Sequence, residues 1–413
     1  MTYPRPDSLS LMLPLARLET LLRGFGDLRI ALVGDLYLDR YLDIEPGVRE
    51  MSIETGLEAY QVSRVRNSPG VVGTVMNNLA ALGVGSNGGL EPGGKLVPVT
   101  VIGDDGHGDD LIRCLARLPV DPRHVLRDPA RLTPTYTKPM QPVAATTSGA
   151  AGSAWRELNR LDVRTRGPLG DETRRELCKR VRAAFDECDG VIVCDQVVET
   201  GWGVVSPEVR AFLRQLSRER PEKLVFVDSR AHMGEFDFGT LKPNRAECLQ
   251  SIGVDPTARD DGDVLLRRAV AAMVERTGRA VFCTLSERGI LVATPQDRRS
   301  GTPVPDGATM DASSCNAGVE RRPPRDLSGT GVPDLPLGVI VPAPPVRGEI
   351  DIVGAGDSAT AGIVASLLCG ATEIEAAVVG NLVASITIEQ LGTTGTATPE
   401  QVVARWQEAF AAT

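Results

Sequence analysis

The stretch Asp351-Ile352-Val353-Gly354-Ala355-Gly356-Asp357-Ser358 carries the residue types that phosphoryl transfer needs. Gly354, Ala355 and Gly356 are small enough to let backbone come close to a ligand. Residues 358–368 place apolar side chains at helical spacing and stop before Gly370, which predicts a helix that begins at the glycines. Amides at such a start lack intrahelical partners and, with the positive end of the dipole, attract an anion. Asp357 falls in the first turn, where a carboxylate can take a hydroxyl proton while amides hold a phosphoryl group. Residues 354–359 also fit the dinucleotide pattern GxGxxA. That pattern belongs after the first strand of a βαβ unit with an acid ending the next strand; here it comes late, and 372–377 reads as helix. The plainer alternative is a glycine-rich helix start with a capping Asp.

The elements that must position these residues follow from periodicity. Residues 29–34, 191–195, 224–228 and 280–284 are, after Arg29, apolar runs ending in Gly, Asp or Thr, and helical segments separate most of them. Such alternation predicts an α/β fold: a mostly parallel central sheet with helices on both faces. Ligands bind such sheets beyond the carboxyl ends of the strands, where Asp35, Asp195, Asp228, Asn244 and Thr284 would lie. Residues 36–44 and 57–65 alternate polar and apolar, and with 135–138 and 157–162 they predict a small half-exposed β lid spanning about 36–66 and 133–163. Asp35 and Asp39 sit at its base, where carboxylates can accept hydrogen bonds from sugar hydroxyls; exposed loop Asp is the commoner meaning. Gly70, before a short helix at 75–83, opens a second glycine-rich helix start. A helix is expected at 109–118, with His107 in the loop before it. Residues 1–28 read as a helical extension and 29–413 as the main domain. Residues 294–337, rich in Pro, Gly, Asp, Ser and Arg without periodicity, read as a disordered insertion.

Composition narrows the classes. Among 413 residues the net charge is −9 and Lys and Arg are scattered, so no nucleic-acid footprint is present. Eight cysteines without a CxxC pair read as reduced, mostly buried thiols, and zinc is not expected. The apolar start at 9–22 is interrupted by Pro14, Arg17 and Glu19 and reads as an amphipathic helix rather than a signal peptide. No run is long enough to span a bilayer, so a cytoplasmic protein with no membrane partner is expected.

With those residues in place, the chain resembles the PfkB, or ribokinase-like, family of carbohydrate kinases over about 28–406. Asp351-Ile352-Val353-Gly354-Ala355-Gly356-Asp357 matches the DxxGAGD signature in full, and residues 103–108 and Pro243-Asn244-xx-Glu247 match further motifs in order. Within the family it looks most like the kinase domain of heptose-7-phosphate kinases, through residues 33–41, 78–83, 160–162 and 391–393. The resemblance implies ATP and Mg²⁺ as cofactors and a sugar or sugar phosphate as acceptor. It implies Asp357 as the base and the Gly354, Ala355 and Gly356 amides as the anion hole. Asp35, Asp39 and Gly70 would meet the sugar. Asn244, Glu247, Thr284, Gly289 and Asn381 would meet the nucleotide, with Asn244 and Glu247 placing Mg²⁺ through water. Asp351 matches the position that helps hold a monovalent cation, K⁺, in potassium-activated members. A homodimer through the lid is also implied.

The chain departs from the family at Val71, where a second Gly is usual, and at Thr74, where Asn is usual. It departs again at Ser286 for Gly, Met140 for the Arg of heptose kinases and Gln196 for an aromatic. These departures leave open a nucleoside or other small-alcohol kinase, or a non-catalytic binding protein of the same fold. His107, His124 and His232 are far apart and no HxGH motif is present, so no nucleotidyl transfer is expected.

Overall fold

The structure is a computed structural model, and it describes residues 11–88, 94–142, 155–258, 261–298, 338–392 and 394–411. Helix α1 (Leu15–Gly24) buries Leu18, Leu21 and Leu22, spaced three and four apart as one helical face requires. There follow β1 (Ile30–Gly34), β2 (Leu36–Ile44), β3 (Glu50–Met51), β4 (Glu58–Ala59), β5 (Val62–Val71) and α2 (Val72–Ala81). Next come β6 (Leu96–Gly103), α3 (Gly106–Leu115), β7 (Val125–Asp128), β8 (Thr135–Pro142), β9 (Trp155–Glu157) and β10 (Leu161–Val163). The middle of the chain gives α4 (Asp171–Glu187), β11 (Gly190–Asp195), α5 (Pro207–Glu219), β12 (Leu224–Ser229), β13 (Thr240–Leu241) and α6 (Arg245–Ser251). The last part gives α7 (Val264–Thr277), β14 (Val281–Thr284), β15 (Ile290–Ala293), β16 (Val339–Val341), α8 (Ala355–Leu368), α9 (Glu373–Thr387) and α10 (Pro399–Ala411).

The main sheet runs β16-β15-β14-β13-β12-β11-β1-β6-β7, parallel except for the antiparallel β14-β15-β16 end. Alternation along each strand divides the core in two, as a period of two demands. Ile30, Leu32, Ile192, Phe226 and Phe282 feed one layer with α1, α2, α8 and α9; Ala31, Val33, Val191, Val225 and Val281 feed the other with α4 to α7. α1 is therefore part of the core rather than an appendage: Arg17 bonds Glu375 of α9, and the Trp406 indole N–H of α10 donates to the Leu13 carbonyl. Burying these apolar side chains at about 1.5–3 kcal/mol each is what holds the layers together.

The lid is a separate sheet, β10-β8-β2-β5, with β9 beside β8. The register sets Asp39 of β2 opposite Tyr136 of β8 and Ser68 of β5, so the two flanking strands frame it.

Three expectations are corrected. The helix expected at 109–118 begins at Gly106, because the Asp105 carboxylate accepts the Gly108 amide as its N-cap; this carries His107 into the first turn, 3.2 Å from the Thr135 hydroxyl. The strand expected at 57–65 is broken between β4 and β5, and β5 runs on to Val71, so α2 starts earlier than expected. α4 has no counterpart in the sequence reading, because charges dilute its Leu177, Val181, Ala184 and Phe185 stripe. The insertion reading lies outside the described residues from 299 to 337. The described cysteines are free thiols, and among described residues no helix is long and apolar enough to cross a membrane.

Candidate active site

Two helix starts meet at the carboxyl edge of the sheet. α8 begins after Gly354, whose backbone is left-handed (φ 82°), and Asp357 stands in its first turn. A side chain at Gly354 would meet the Thr74 methyl of α2 at 3.4 Å, so the 351–357 and 70–74 motifs, far apart in sequence, touch. The Ala355 amide donates to the Ile352 carbonyl and is spent in the turn. That corrects the three-amide hole: among described residues the Gly354 and Gly356 amides remain for a ligand.

Asp357 is half-buried, and loss of water together with the negative charge of Asp228 pushes its carboxyl up to about 7. Lys242, at the end of β13, pulls the other way, and the charge of Asp39 adds to the rise. Asp228 and Lys242 are both buried and paired at 2.8 Å. Burial favours the neutral amine, but Asp228, Glu247 and Asp357 outweigh it and hold the Lys242 ammonium above its ordinary value. Lys242 was not singled out by the sequence; its signal is a lone lysine inside an otherwise buried Thr240–Pro243 run at a strand end.

The predicted nucleotide residues gather on one side. Asn244 and Glu247 cap α6 reciprocally: the Asn244 amide N–H donates to Glu247, and the Glu247 N–H donates to the Asn244 side chain at 2.9 Å. Burial and Asp228 push Glu247 up to about 7. Asn244 bridges Thr284 across the strand ends. Gly289 has φ 93°, and a side chain there would collide with the Val341 carbonyl at 2.1 Å, so only glycine fits. Asn381 donates to the Val341 and Pro342 carbonyls, and thus meets the same segment as Gly289. Ser286 holds φ 54°, a left-handed backbone that glycine adopts without strain. Asp351 accepts from the Val353 amide at 3.0 Å and the Gly392 amide at 3.4 Å, tying the approach to α8 to the loop after α9.

On the lid side, Asp39 is buried and paired with Lys138 at 3.3 Å; Lys138 also donates to the Tyr41 hydroxyl. Burial raises the Asp39 carboxyl against the pull of Lys138. A side chain at Gly70 would strike the Asp39 carboxylate at 2.6 Å, so Gly70 makes room for that group. Val71 has φ 59° and ψ −109°, a conformation that a β-branched residue adopts only under strain. Asp35 reaches the same edge, but its two oxygens accept the Gln196 and Val204 amides at 3.2 and 2.8 Å, pinning the loop after β11. Burial and Asp195 lift Asp35 to about 6.

For Mg²⁺ the fit rests on charge. Glu247 and Asp228 are desolvated carboxylates that share one ammonium, which a hard dication would relieve. Among described residues no three acidic, His or Cys side chains form a cage, and Mg²⁺ commonly takes one or two carboxylates plus water and phosphate.

Residues 338–401 match the pfkB family carbohydrate kinase. The bifunctional protein HldE of Trichlorobacter lovleyi is 24% identical over 388 residues, 94% of this chain and 64% of its own length. HldE of Caulobacter sp. is 27% identical over 386 residues, 91% of this chain and 62% of its own. The chain thus spans less than two thirds of these relatives. Ribokinase of Arabidopsis thaliana, solved with ribose and ATP, superposes with TM-score 0.55 at 15% identity, covering 92% of this chain and 99% of that one. Phosphofructokinase-2 of Escherichia coli with potassium gives 0.58 at 16%, covering 92% and 99%. The fold is ribokinase-like.

Proposed function

We propose that this chain is an ATP-dependent carbohydrate kinase that moves the γ-phosphoryl group of ATP to a hydroxyl of a sugar or sugar phosphate. The observation that carries the reading is Asp357, held near neutrality in the first turn of α8 beside the Gly354 and Gly356 amides. An acid with an affinity for protons near 7 is suited to take one from an alcohol at neutral pH, since its conjugate forms readily in place. The acceptor oxygen bonds to the γ-phosphorus, the bond from that phosphorus to the bridging oxygen of ADP breaks, and the hydroxyl proton passes to Asp357. The amides and the α8 dipole face the charge that spreads over the transferring oxygens. Mg²⁺, held through water by Asn244 and Glu247, would screen the nucleotide phosphates. Asp39 and Gly70 form the acceptor floor, with Asp35 fixing the loop beside it. The pfkB-family match and the ribokinase-like fold support this reading.

The motif resemblance favours a heptose phosphate acceptor. The altered Val71 and Thr74 favour the nucleoside or small-alcohol alternative. ADP release measured with neutral sugars, sugar phosphates and nucleosides separates them. Release with sugar phosphates alone supports the first, release with nucleosides alone supports the second, and none with any acceptor sinks the kinase reading. Asp351 is proposed as part of a K⁺ site; turnover equal in potassium and tetramethylammonium salts would dismiss it. Pairing through the lid is proposed from its exposed Met51, Ile53, Leu57, Val62 and Val65. A monomer by light scattering at assay concentration would rule that out.

A further inference from the structure

One carboxylate carries both ends of the loop that follows β11. Asp35 accepts the Gln196 amide at 3.2 Å and the Val204 amide at 2.8 Å, and a side chain at Gly203 would lie 3.1 Å from the nearer oxygen. The Asp35 carbonyl accepts the Val72 amide at 3.2 Å, which joins this loop to the start of α2 beside Gly70. Two cations outside the family motifs reach the same loop. Arg131, between β7 and β8, donates from Nη2 to the Trp202 carbonyl at 2.9 Å and the Thr165 hydroxyl at 3.0 Å. Its Nη1 is shut off from solvent and has no partner, so its charge is only partly spent in hydrogen bonds. Burial lowers the Arg131 guanidinium, and Asp35 heads the charges, with Asp128 and Tyr37 after it, that pull the other way. His232 lies 3.4 Å from the Thr200 hydroxyl through Nε2 and 3.1 Å from Asp195 through Nδ1. Asp195 also accepts the Ser229 hydroxyl at 2.7 Å, and next to burial its charge is what raises Asp35.

We propose that Arg131 and His232 are positioning residues that hold this loop shut beside the acceptor floor at neutral pH: Arg131 as a counter-charge to Asp35, His232 by neutralising the Asp195 that faces it. The place beside an acceptor floor rests on the kinase reading; the latch does not. Burial makes the shut loop keep a proton on Asp35 up to about 6, whereas an open loop would release it at about 4. The shut form therefore loses stability as pH rises from about 4 to about 6, and levels off above that. Each cation lowers the upper end of that window. Without it Asp35 keeps its proton to higher pH, and the loss runs on toward neutrality. The hydrogen bond to Asp195 holds His232 above its ordinary value; burial and Arg210 oppose this, and the charges of Asp195 and Glu235 add to it, so the imidazole stays charged across the window.

The test is hydrogen exchange of the 196–204 segment at about pH 5 and about pH 7, read by mass spectrometry on the ligand-free chain and corrected for intrinsic rates. Arg131→Gln and His232→Gln keep a donor for Trp202 and Asp195 and remove the charge. At the lower pH both should match the unsubstituted chain; at the higher pH the segment should be about threefold or more less protected. Arg131→Lys should restore most of the difference, and Asp35→Asn should make protection equal at the two pH values. Neutral variants that match the unsubstituted chain at both pH values overturn the proposal. A loss of equal size at both pH values overturns it too, because the side chains would then be merely structural. A pH step that survives Asp35→Asn overturns it by moving the titration to another group. No ADP release in the acceptor panel would sink the kinase reading, a result separate from the exchange profile that decides the latch.

Discussion

The two halves of the cleft handle charge in opposite ways. In and beside the lid four acids each have partners of their own: Asp43 is clasped by Arg66, Asp162 by Arg160, Asp39 by Lys138, and Asp35 by two loop amides. At the start of α8, Asp228, Asp357 and Glu247 share Lys242, and two of them are pushed to about 7. These four acids are paired before any ligand arrives, and their contacts give shape. The α8 end is left in deficit, and a surplus of desolvated carboxylate is what a metal–triphosphate and a proton transfer both use. A floor that is already satisfied selects by fit, whereas a frustrated site gains from being filled.

Substitutions can break this contrast, beginning with the largest effect. Asp357→Asn should lower kcat by about a thousandfold or more while MgATP binding stays within a few fold, because it removes the proton acceptor and leaves the amides. Turnover near normal in the purified variant would take the base away from Asp357. Gly70→Ala presses a methyl into the Asp39 carboxylate; KM for the acceptor should rise about tenfold with KM for ATP unchanged, since only the satisfied half is touched. If both constants move together, the halves are not independent.

The deficit also has a signature without any substrate. Asp357 and Glu247 are raised to about 7 and Asp35 to about 6, so the folded chain keeps protons that the unfolded chain releases above about pH 4. The unfolded state then binds fewer protons, and these groups make stability fall as pH rises from about 4 to about 7. Melting temperatures of the ligand-free protein should decline over that window, less steeply in Asp357→Asn, and Mg²⁺ with nucleotide should recover part of the loss. Identical slopes in the two proteins would show that Asp357 is not under this strain. The smallest effect is at Val71. Val71→Gly relieves its positive φ against the added entropy of a glycine in the unfolded chain, a net gain of about 1 kcal/mol in denaturant unfolding. Destabilisation by the same amount would mean that the valine side chain matters more than its backbone.

How much was legible in advance differs by region for a physical reason. The apolar runs and their helical partners fixed an α/β sheet with its carboxyl edge occupied by Asp35, Asp195, Asp228, Asn244 and Thr284, because side-chain period and chain direction are local properties. Gly354 was legible from its motif at a helix start and Gly289 from the family resemblance, and the structure gives both a positive φ. α4 was hidden because its apolar stripe is narrow among charges, and the start of α3 because a capping Asp105 well before the apolar run that begins at Leu111 outweighed that run. Lys242 was hidden for another reason. Its local signal is faint, and while Glu247 of α6 lies near it in the chain, Asp228 comes from β12 and Asp357 from α8, both more than ten residues away.

The sequence alone determined which residues could do the chemistry and on which edge of the sheet they stand, because strand pattern, helix start and glycine geometry are written locally. Only the tertiary structure decided their electrostatic state. It set Asp228 against Lys242 and Asp357, spent the oxygens of Asp35 and the amide of Ala355 on neighbouring backbone, and brought Thr74 against Gly354. Burial and distance between groups remote in the chain set an acid's affinity for its proton, and no stretch of sequence contains either.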